Sequence, residues 1–239
     1  MSSPRSQDEI GVVTEAPLIP TVLRAAEAAA ISPLLTTLSQ PLSAAAEAIR
    51  ALRTHVLAQH IQAGRRGLAI CGPSVNVGCS YVAANLAVAL AQIGLKTLLV
   101  DGDLRAPGVD KFIPPRTATG GLSACLHVTD SRIGDYIDAD LLPNLSVLFA
   151  GDASVNAQEL LAREWFGDVM HQCLRDFDIT IVDTPPANTS ADARRISNVI
   201  GYGLIVARRH KSLVSDVRVL VEQLIDDHAT VIGTVMNAD

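Results

Sequence analysis

Residues 67–107 carry the pattern that most restricts how this chain can fold: GLAICGPSVNVGCSYVAANLAVALAQIGLKTLLVDGDLRAP. Two short apolar segments, residues 67–71 and 96–100, flank residues 80–93, whose small alanines are typical of a helix packed closely on a sheet. A strand, a helix and a strand of these lengths form a right-handed crossover between two parallel strands. The stretch therefore predicts the opening unit of an α/β domain.

The rest of the chain continues this alternation of helices and strands. Further strands are predicted at residues 145–149, 179–182, 203–206 and 231–236. Helices are predicted at residues 43–61, 122–126, 133–136, 157–176, 191–199 and 213–226. This order predicts a doubly wound, mostly parallel α/β sheet that helices cover on both faces. We expect residues 41–239 to form one domain, preceded by a flexible or partly helical segment over residues 1–40.

Composition excludes several classes of function. A net charge of −6 argues against a general nucleic-acid binder, which needs a basic surface. No apolar run reaches the roughly 18 residues that cross a bilayer, and the N-terminus lacks the apolar core of a signal peptide. The cysteines are too far apart to indicate a zinc site or a disulfide framework; they stand at positions 71, 79, 125 and 173. We therefore expect a reduced, cytosolic protein.

The loop after the first strand has the position of a phosphate-binding loop. In such a loop, backbone N–H groups, a lysine and a Ser or Thr hydroxyl bind phosphates and Mg²⁺ at the start of a helix. Gly78 and Ser80 match this pattern, but Cys79 stands where the lysine is expected. The full pattern is also not met upstream, because Pro73 occupies the position of the first glycine. The loop therefore predicts a phosphate site that lacks its cation.

Other features of the loop concern its shape and reactivity. Asn76 replaces a glycine and is a residue type that tolerates a positive φ. Val75 and Val77 are β-branched, and we expect them to crowd a loop that normally stays open. A thiol at a helix N-terminus can have a lowered pKa, so Cys79 is either a reactive cysteine or a small residue that fills the space of the lysine.

Two strands of the predicted sheet end in carboxylates. Asp101 and Asp103 follow the strand in LLVDGDLRAP, and Asp183 ends the strand in ITIVDTPPA. Carboxylates in these positions hold Mg²⁺ or polarise a nucleophile during phosphoryl transfer. A single aspartate at a strand end is more simply a turn former. Three of them beside a phosphate loop predict a nucleotide site at the carboxyl edge of the sheet.

In combination, these segments resemble the cytoplasmic domain of the bacterial tyrosine kinases (BY-kinases) of polysaccharide export, within the broader ParA/MinD-like P-loop ATPases. The resemblance covers residues 41–237. It rests on the E-x-x-R-x-x-R pattern in EAIRALRTH, the Walker-like motif LLVDGDLRAP and the Walker B motif IVDTPPA. Further matching segments are GLSACL, NLSVLFAG, NAQELL, ADA at residues 191–193, and GTVMN. The resemblance implies a P-loop NTPase-like fold.

The resemblance also implies a site. The implied nucleotide-binding residues are Gly78, Cys79, Ser80, Tyr81 and Asn237, with ATP or ADP and Mg²⁺ as ligands and with Asn237 near the base. The implied Mg²⁺ ligands are Ser80, Asp101 and Asp183. The implied catalytic carboxylates are Asp101, Asp103 and Asp183.

An assembly surface and a partner are implied as well. Glu47, Arg50 and Arg53 would pack subunits of a homo-oligomer, although their spacing of three also fits an exposed ridge with an ion pair worth about a few tenths of a kcal/mol. The implied partner is a membrane-anchored polysaccharide co-polymerase or chain-length protein. Its cytoplasmic tail would recruit the domain to the inner face of the plasma membrane.

Two departures from the family pattern bear on activity. Replacing the lysine by Cys79 removes a charge-assisted contact worth about 1.5–3 kcal/mol and a preorganised stabiliser worth about 10²–10³ in rate. Active relatives also end in a tyrosine cluster, whereas the tyrosines here are Tyr81, Tyr136 and Tyr202. We therefore expect a pseudokinase that regulates or supports exopolysaccharide assembly and export, of capsule or holdfast type. Nucleotide binding stays open, since backbone amides and carboxylates remain.

Two alternatives remain. In the first, the chain is a weakly active ATPase or tyrosine kinase of the same pathway, in which Arg105 or Arg208 replaces the lysine. In the second, it is a ParA/MinD-like positioning ATPase. The EAIRALRTH segment and the missing lysine argue against the second alternative.

Overall fold

One seven-stranded sheet organises residues 32–238, the part of the chain that a computed structural model describes. The strands are β1 Gly67–Cys71, β2 Thr97–Asp101, β3 Asp138–Leu142, β4 Leu145–Leu148, β5 Ile179–Asp183, β6 Tyr202–Arg208 and β7 Thr230–Asn237. Their order across the sheet is β3-β4-β2-β5-β1-β6-β7. Neighbours are parallel except for β3 and β4. The predicted doubly wound, mostly parallel α/β fold is confirmed.

Helices cover both faces of the sheet. They are α1 Thr36–Ser39, α2 Ala44–Gln59, α3 Cys79–Ala91, α4 Gly121–His127, α5 Ala157–Ala162, α6 Glu164–Asp176, α7 Asp192–Ile200 and α8 Val214–Asp226. Short 3-10 turns lie at Ile61–Ala63, Val109–Lys111 and Ile133–Tyr136. Between residues 32 and 238, none of the helices combines the length and apolar character needed to cross a bilayer.

The two core layers follow from the alternation of side chains along the strands. In β1, Leu68 and Ile70 belong to the core that includes α2 and α3, whereas Ala69 and Cys71 belong to the core on the opposite face. All five residues of β1 are buried. A strand buried on both faces reads as a continuous apolar run, which explains why the sequence marks it so clearly.

Two elements differ from the sequence expectations. The helix predicted over residues 157–176 is two helices, because Arg163 adopts an extended conformation with ψ of 149° between them. The antiparallel strand β3 was not predicted, since its sequence DADLL lacks the β-branched residues that mark a strand. Its first residue, Asp138, is nevertheless buried and accepts hydrogen bonds from the backbone N–H groups of Arg116 and Thr117.

The part of the predicted N-terminal segment that the structure describes lies against the sheet domain. Leu35 is fully buried in the core of α2 and α3. The Thr37 backbone N–H and hydroxyl both donate to the side-chain oxygen of the buried Asn85 in α3, each at 3.2 Å. These contacts attach residues 35–37 to the domain. Of the flexible or partly helical segment expected over residues 1–40, the structure describes residues 32–40, which include α1; residues 1–31 lie outside the described part.

Candidate functional site

Hydrogen bonds connect the ends of three strands at the carboxyl edge of the sheet. The Gly102 N–H after β2 donates to the Asp183 carbonyl at 2.9 Å, and the Thr184 hydroxyl donates to the Ile70 carbonyl at 2.9 Å. A Cβ on Gly102 would lie 2.7 Å from the Asp183 carbonyl oxygen, so only glycine allows this approach. The ends of β1, β2 and β5 thus form one continuous surface beside the loop over residues 72–78.

The loop adopts a conformation that its residue types favour. Gly78 caps α3 with φ of 101°, and Asn76 has φ of 56°, which confirms the expectation that Asn76 takes a positive φ. Val77 is buried in the core, whereas Val75 is about half exposed. Val75 faces solvent, whereas Val77 packs against the start of the loop, where a Cβ on Gly72 would lie 2.5 Å from Val77 Cγ2. The expected crowding is therefore present at Val77 and not at Val75.

Cys79 begins α3 and lies across the start of the loop. A Cβ on Gly72 would be 2.6 Å from the Cys79 Sγ, so the thiol packs directly against the Gly72 backbone. Burial raises the pKa of the Cys79 thiol well above its usual value, and the negative charge of Asp183 adds to this shift. Of the two alternatives for Cys79, the reactive cysteine with a lowered pKa is therefore wrong, because desolvation outweighs the helix dipole. Cys79 presents a neutral thiol.

Asp101 organises the chain that follows β2. Its Oδ1 accepts from the Asp103 N–H at 3.1 Å, and its Oδ2 accepts from the N–H groups of Gly108 and Val109, both at 3.0 Å. Burial raises the pKa of Asp101 to about 6, although these three hydrogen bonds oppose the shift. The carboxylate thus folds residues 102–109 back over the site.

Asp183 is a carboxylate that can still accept a hydrogen bond or bind a cation. It is buried, and its Oδ1 has no hydrogen-bond partner among residues 32–238. Burial raises the pKa of Asp183 well above its usual range, the charge of Asp101 adds to the shift, and a hydrogen bond from Ser80 opposes it. A Cβ on Gly108 would lie 3.1 Å from Ser80 Oγ, so Ser80 faces the chain that Asp101 folds. Ser80, Asp101 and Asp183 therefore lie close together, and their role as Mg²⁺ ligands stays a prediction.

Asp103 lies at the rim of the site. Its Oδ1 accepts from the N–H groups of Arg105 and Ala106 at 3.1 and 2.9 Å, the pattern of an Asx turn. Burial raises the pKa of Asp103, against the effect of these two hydrogen bonds. The carboxylate is half-buried, and its Oδ1 shapes the turn.

The two arginines considered as substitutes for the lysine have different partners. The Arg105 Nε donates to Asp192 Oδ2 at 2.7 Å, and Asp192 is 2% exposed. The Arg208 Nη1 donates instead to the Asn76 carbonyl in the loop at 3.0 Å. Arg105 is thus engaged with α7, whereas Arg208 reaches the loop itself.

The remaining predicted residues are placed as follows. The Tyr81 hydroxyl shares a hydrogen bond of 2.8 Å with Thr36, so its ring lies towards the N-terminal segment. Asn237 Nδ2 donates to the Val77 carbonyl at 3.1 Å, so this side chain contacts the loop. Glu47 pairs with Arg50 at 2.9 Å, and Arg53 donates to the Ala89 carbonyl at 3.4 Å. These last contacts lie within one chain, and the oligomer role of the three residues stays a prediction.

A cavity of about 400 Å³ beside Asp101 was not predicted. It lies between the chain after β2, residues 117–121 and residues 149–152, and Asp110 and Asp152 also line it. The glycines in GLSACL and LFAG mark its walls: a Cβ on Gly121 would be 2.3 Å from the Phe149 carbonyl oxygen. The glycines of these two segments were the sequence signal that could have indicated the cavity.

The donor set fits a magnesium nucleotide in two respects. The unpartnered, buried Asp183 Oδ1 suits a cation or its bound water, and the αL glycine that opens α3 suits a phosphate. Within the described ranges, no group of three or more His, Cys, Asp or Glu side chains could hold a metal by itself. Mg²⁺ takes one or two carboxylates together with substrate phosphates. The site lacks the phosphate contact that a lysine would make, because the side chain of Cys79 at that position is short and neutral.

Comparisons with known proteins agree on one family. The chain is 31% identical over 207 residues to CapB of Staphylococcus aureus, covering 87% of this chain and 90% of that protein. It is 30% identical to the tyrosine-protein kinase YwqD of Bacillus subtilis, covering 84% of each. It is 31% identical to the tyrosine-protein kinase ptk of Acinetobacter johnsonii but spans 26% of that protein's length. No family model matches the chain.

Solved structures give the same grouping. The chimerical protein CapA2B2 superposes with a TM-score of 0.76 at 30% identity, over 87% of this chain and 91% of that one. The kinase domain of the Escherichia coli tyrosine kinase ETK gives 0.79 at 27% identity, over 85% and 79% of the two chains. The septum site-determining protein MinD of Pyrococcus horikoshii, at 20% identity and a TM-score of 0.57 over 72% and 70%, shares the fold.

Proposed function

Because the chain belongs to the family of bacterial tyrosine-protein kinases, we propose that it is a member that keeps the nucleotide site and has lost phosphoryl transfer. It acts as a regulatory or structural partner in the biosynthesis and export of an exopolysaccharide of capsule or holdfast type. In this proposal residues 41–239 form the kinase-like domain.

The main observation that supports the proposal is the residue at position 79, Cys79. At the start of α3, where the family pattern places a lysine, the protein has a neutral thiol packed against Gly72. The transferred phosphoryl group develops negative charge that a lysine stabilises in active members. Around this position the buried carboxylates Asp101 and Asp183 provide no cation to replace the lysine. The loss of a preorganised cation costs about 10²–10³ in rate, which supports the loss of useful transfer.

The remaining residues support binding of a nucleotide. In this proposal Ser80 and Asp183 hold Mg²⁺, with Asp101 keeping the chain after β2 folded over them. A bound magnesium nucleotide would supply phosphates that match the backbone N–H groups at the start of α3. Asp103, one of the three implied catalytic carboxylates, then serves as a turn former at the rim.

The proposed partner is a membrane-anchored polysaccharide co-polymerase or chain-length protein. Its cytoplasmic tail would hold this domain at the inner face of the plasma membrane. The support is the similarity to tyrosine-protein kinases such as YwqD and to the chimera CapA2B2. The net charge of −6 supports a protein partner over nucleic acid. Glu47, Arg50 and Arg53 are the proposed surface for packing between copies of the chain.

A phosphorylation assay tests the proposal. Purified protein is incubated with Mg²⁺ and radiolabelled ATP, with and without a tyrosine-rich polymer, and phosphotyrosine is measured. We expect no label above that of an Asp103→Asn variant. Tyrosine phosphorylation by the wild type that the Asp103→Asn change abolishes would overturn the proposal.

The contact of Arg208 with the loop favours one alternative, a weakly active ATPase. The Arg208 guanidinium is held at the Asn76 carbonyl, so it is a cation in contact with the loop that lacks the lysine. Steady ATP hydrolysis that both Arg208→Ala and Asp183→Asn remove would favour this alternative. Hydrolysis at the level of buffer would exclude it.

A further inference from the structure

Arg208 and Asn237 lie side by side on two neighbouring strands and donate to two consecutive carbonyls of the loop. They are partners in the register of β6 and β7. The Arg208 Nη1 donates to the Asn76 carbonyl at 3.0 Å, and the Asn237 Nδ2 donates to the Val77 carbonyl at 3.1 Å. The sheet edge therefore fixes the loop at two adjacent peptide units.

Fixing a carbonyl also fixes the N–H group of the same peptide unit. Peptide units are planar, and in the trans form the C=O and N–H bonds point in opposite directions; no peptide bond is cis in the part of the chain that the structure describes. With the Asn76 and Val77 carbonyls held at the sheet edge, the N–H groups of Val77 and Gly78 point away from it. Neither N–H has a hydrogen-bond partner among the described residues.

Hydrogen bonds hold the backbone at Arg208 and Asn237 in place. The Arg208 N–H donates to Ser212 Oγ at 2.9 Å, and the Ser212 N–H donates back to the Arg208 carbonyl at 2.9 Å. The Arg209 N–H donates to the Asn237 carbonyl at 2.8 Å. A Cβ on Gly78 would lie 2.3 Å from Asn237 Nδ2, so the amide fits against a bare glycine backbone. These contacts keep the Arg208 guanidinium and the Asn237 amide beside the loop carbonyls to which they donate.

We propose that Arg208 and Asn237 are positioning residues that hold this loop open, so that it binds the diphosphate part of a nucleotide through backbone N–H groups without a lysine. The inference rests on the nucleotide site of the proposed function. In phosphate loops the backbone amides bind the α- and β-phosphates, whereas the lysine reaches the β- and γ-phosphates. A loop that keeps the amides and lacks the lysine suits a nucleoside diphosphate at least as well as a triphosphate.

Calorimetric titration with Mg·ADP, Mg·ATP and inorganic pyrophosphate tests the inference. The variants are Arg208→Ala, Arg208→Lys and the isosteric Asn237→Asp, which replaces a donor by an acceptor. Arg209→Ala is the matched control, because it removes the same charge from the next residue, which is exposed. Thermal unfolding of each variant shows whether it is folded, and hydrogen exchange of the Val77 and Gly78 amides reports the loop directly.

We expect the wild type to bind ADP at least as tightly as ATP. Arg208→Ala and Asn237→Asp should weaken the binding of both ADP and pyrophosphate by roughly tenfold or more and should speed exchange at Gly78. Arg208→Lys should recover part of the affinity, and Arg209→Ala should bind as the wild type does.

Three results would overturn the inference. They are a wild type that binds neither ADP nor pyrophosphate, equal affinities in the Arg208→Ala and Arg209→Ala variants, and an Asn237→Asp variant that loses ADP but keeps pyrophosphate. The last result would place Asn237 at the base. The first result would also remove the nucleotide site of the proposed function, whereas the other two would leave that site in place and overturn only the inference. Phosphotyrosine formation is the separate test of lost phosphoryl transfer.

Discussion

The Arg105 guanidinium donates to the Asp192 carboxylate at 2.7 Å and links the chain after β2 to the start of α7. The two ends of this pair differ in exposure: the Asp192 side chain is 2% exposed and that of Arg105 is 39% exposed. A buried charge that loses its partner costs more than an exposed one, which water can solvate. The pair engages the Arg105 guanidinium with α7.

This asymmetry predicts unequal effects on stability. Arg105→Met should lower the free energy of unfolding by about 1.5–3 kcal/mol, because it leaves the Asp192 charge buried without its partner. Asp192→Asn should cost less, since Arg105 can turn to solvent. Urea unfolding measures both, with Arg209→Met as a control for the lost charge. A larger effect for Asp192→Asn would contradict the prediction.

The sequence predicts the central strands because a strand that is buried on both faces has a nearly continuous apolar sequence, as in β1. It does not predict β3, whose DADLL sequence pairs at the sheet edge and is stabilised by Asp138 accepting from residues 116 and 117. Edge strands depend on tertiary contacts of this kind, and such contacts leave no periodic pattern in the sequence.

In the candidate site, too, the sequence predicts some features and not others. Motif spacing brings Ser80, Asp101 and Asp183 to one edge, because parallel strands end there. The partners of each side chain come from distant residues: Arg208 reaches Asn76 across 132 positions, and Asn237 reaches Val77 across 160. The sequence likewise could not give the raised pKa of Cys79, because it follows from burial and from the charge of Asp183.

Restoring the lysine should restore phosphate binding. We expect Cys79→Lys to bind Mg·ATP roughly ten- to a hundredfold more tightly than the wild type, since a charge-assisted hydrogen bond is worth about 1.5–3 kcal/mol. The gain should be larger for ATP than for ADP, because the lysine reaches the γ-phosphate. Cys79→Ala is the control for the lost thiol. Calorimetry that finds equal affinities in the two variants would show that position 79 does not face the phosphates.

We expect the stability of the fold to depend on pH through the buried side chain of His60. It is fully buried at the end of α2, and its Nε2 donates to the Gly67 carbonyl at 2.8 Å. Its Nδ1 has no partner in the described part of the chain, and the ring lies edge-on to Tyr202, above which Arg65 is stacked. Burial lowers the pKa of His60, and the charge of Arg65 lowers it further against the Gly67 hydrogen bond.

The sign of the pH effect follows from this lowered pKa. Below the unfolded pKa of about 6.5, the unfolded chain binds a proton that the folded protein does not, so stability falls as pH falls, by at most about 1.4 kcal/mol per pH unit. Thermal unfolding at pH 7.5 and 5.5 should show a larger loss in the wild type than in His60→Gln, which can still donate to Gly67. His55→Gln, an exposed position on the same helix, should keep the wild-type loss. Parallel curves for wild type and His60→Gln would contradict the assignment.

Asn85 is the residue that fastens the N-terminal segment to α3. It is fully buried; its Oδ1 accepts from Thr36 and Thr37, and its Nδ2 donates to the Leu34 carbonyl at 3.1 Å. Asn85→Leu conserves volume but leaves these groups without partners, at a cost of about 1–3 kcal/mol for each group that stays buried. We expect the Thr37 amide to lose its hydrogen-exchange protection and proteases to cleave within residues 32–43, while the amides of β1 stay protected. Thr36→Val removes the hydroxyl contact with Tyr81 and keeps the Thr37 bonds, so it should retain protection at Thr37. Unchanged exchange at Thr37 in the Asn85→Leu protein would mean that the buried Leu35 side chain, rather than the amide, holds the segment in place.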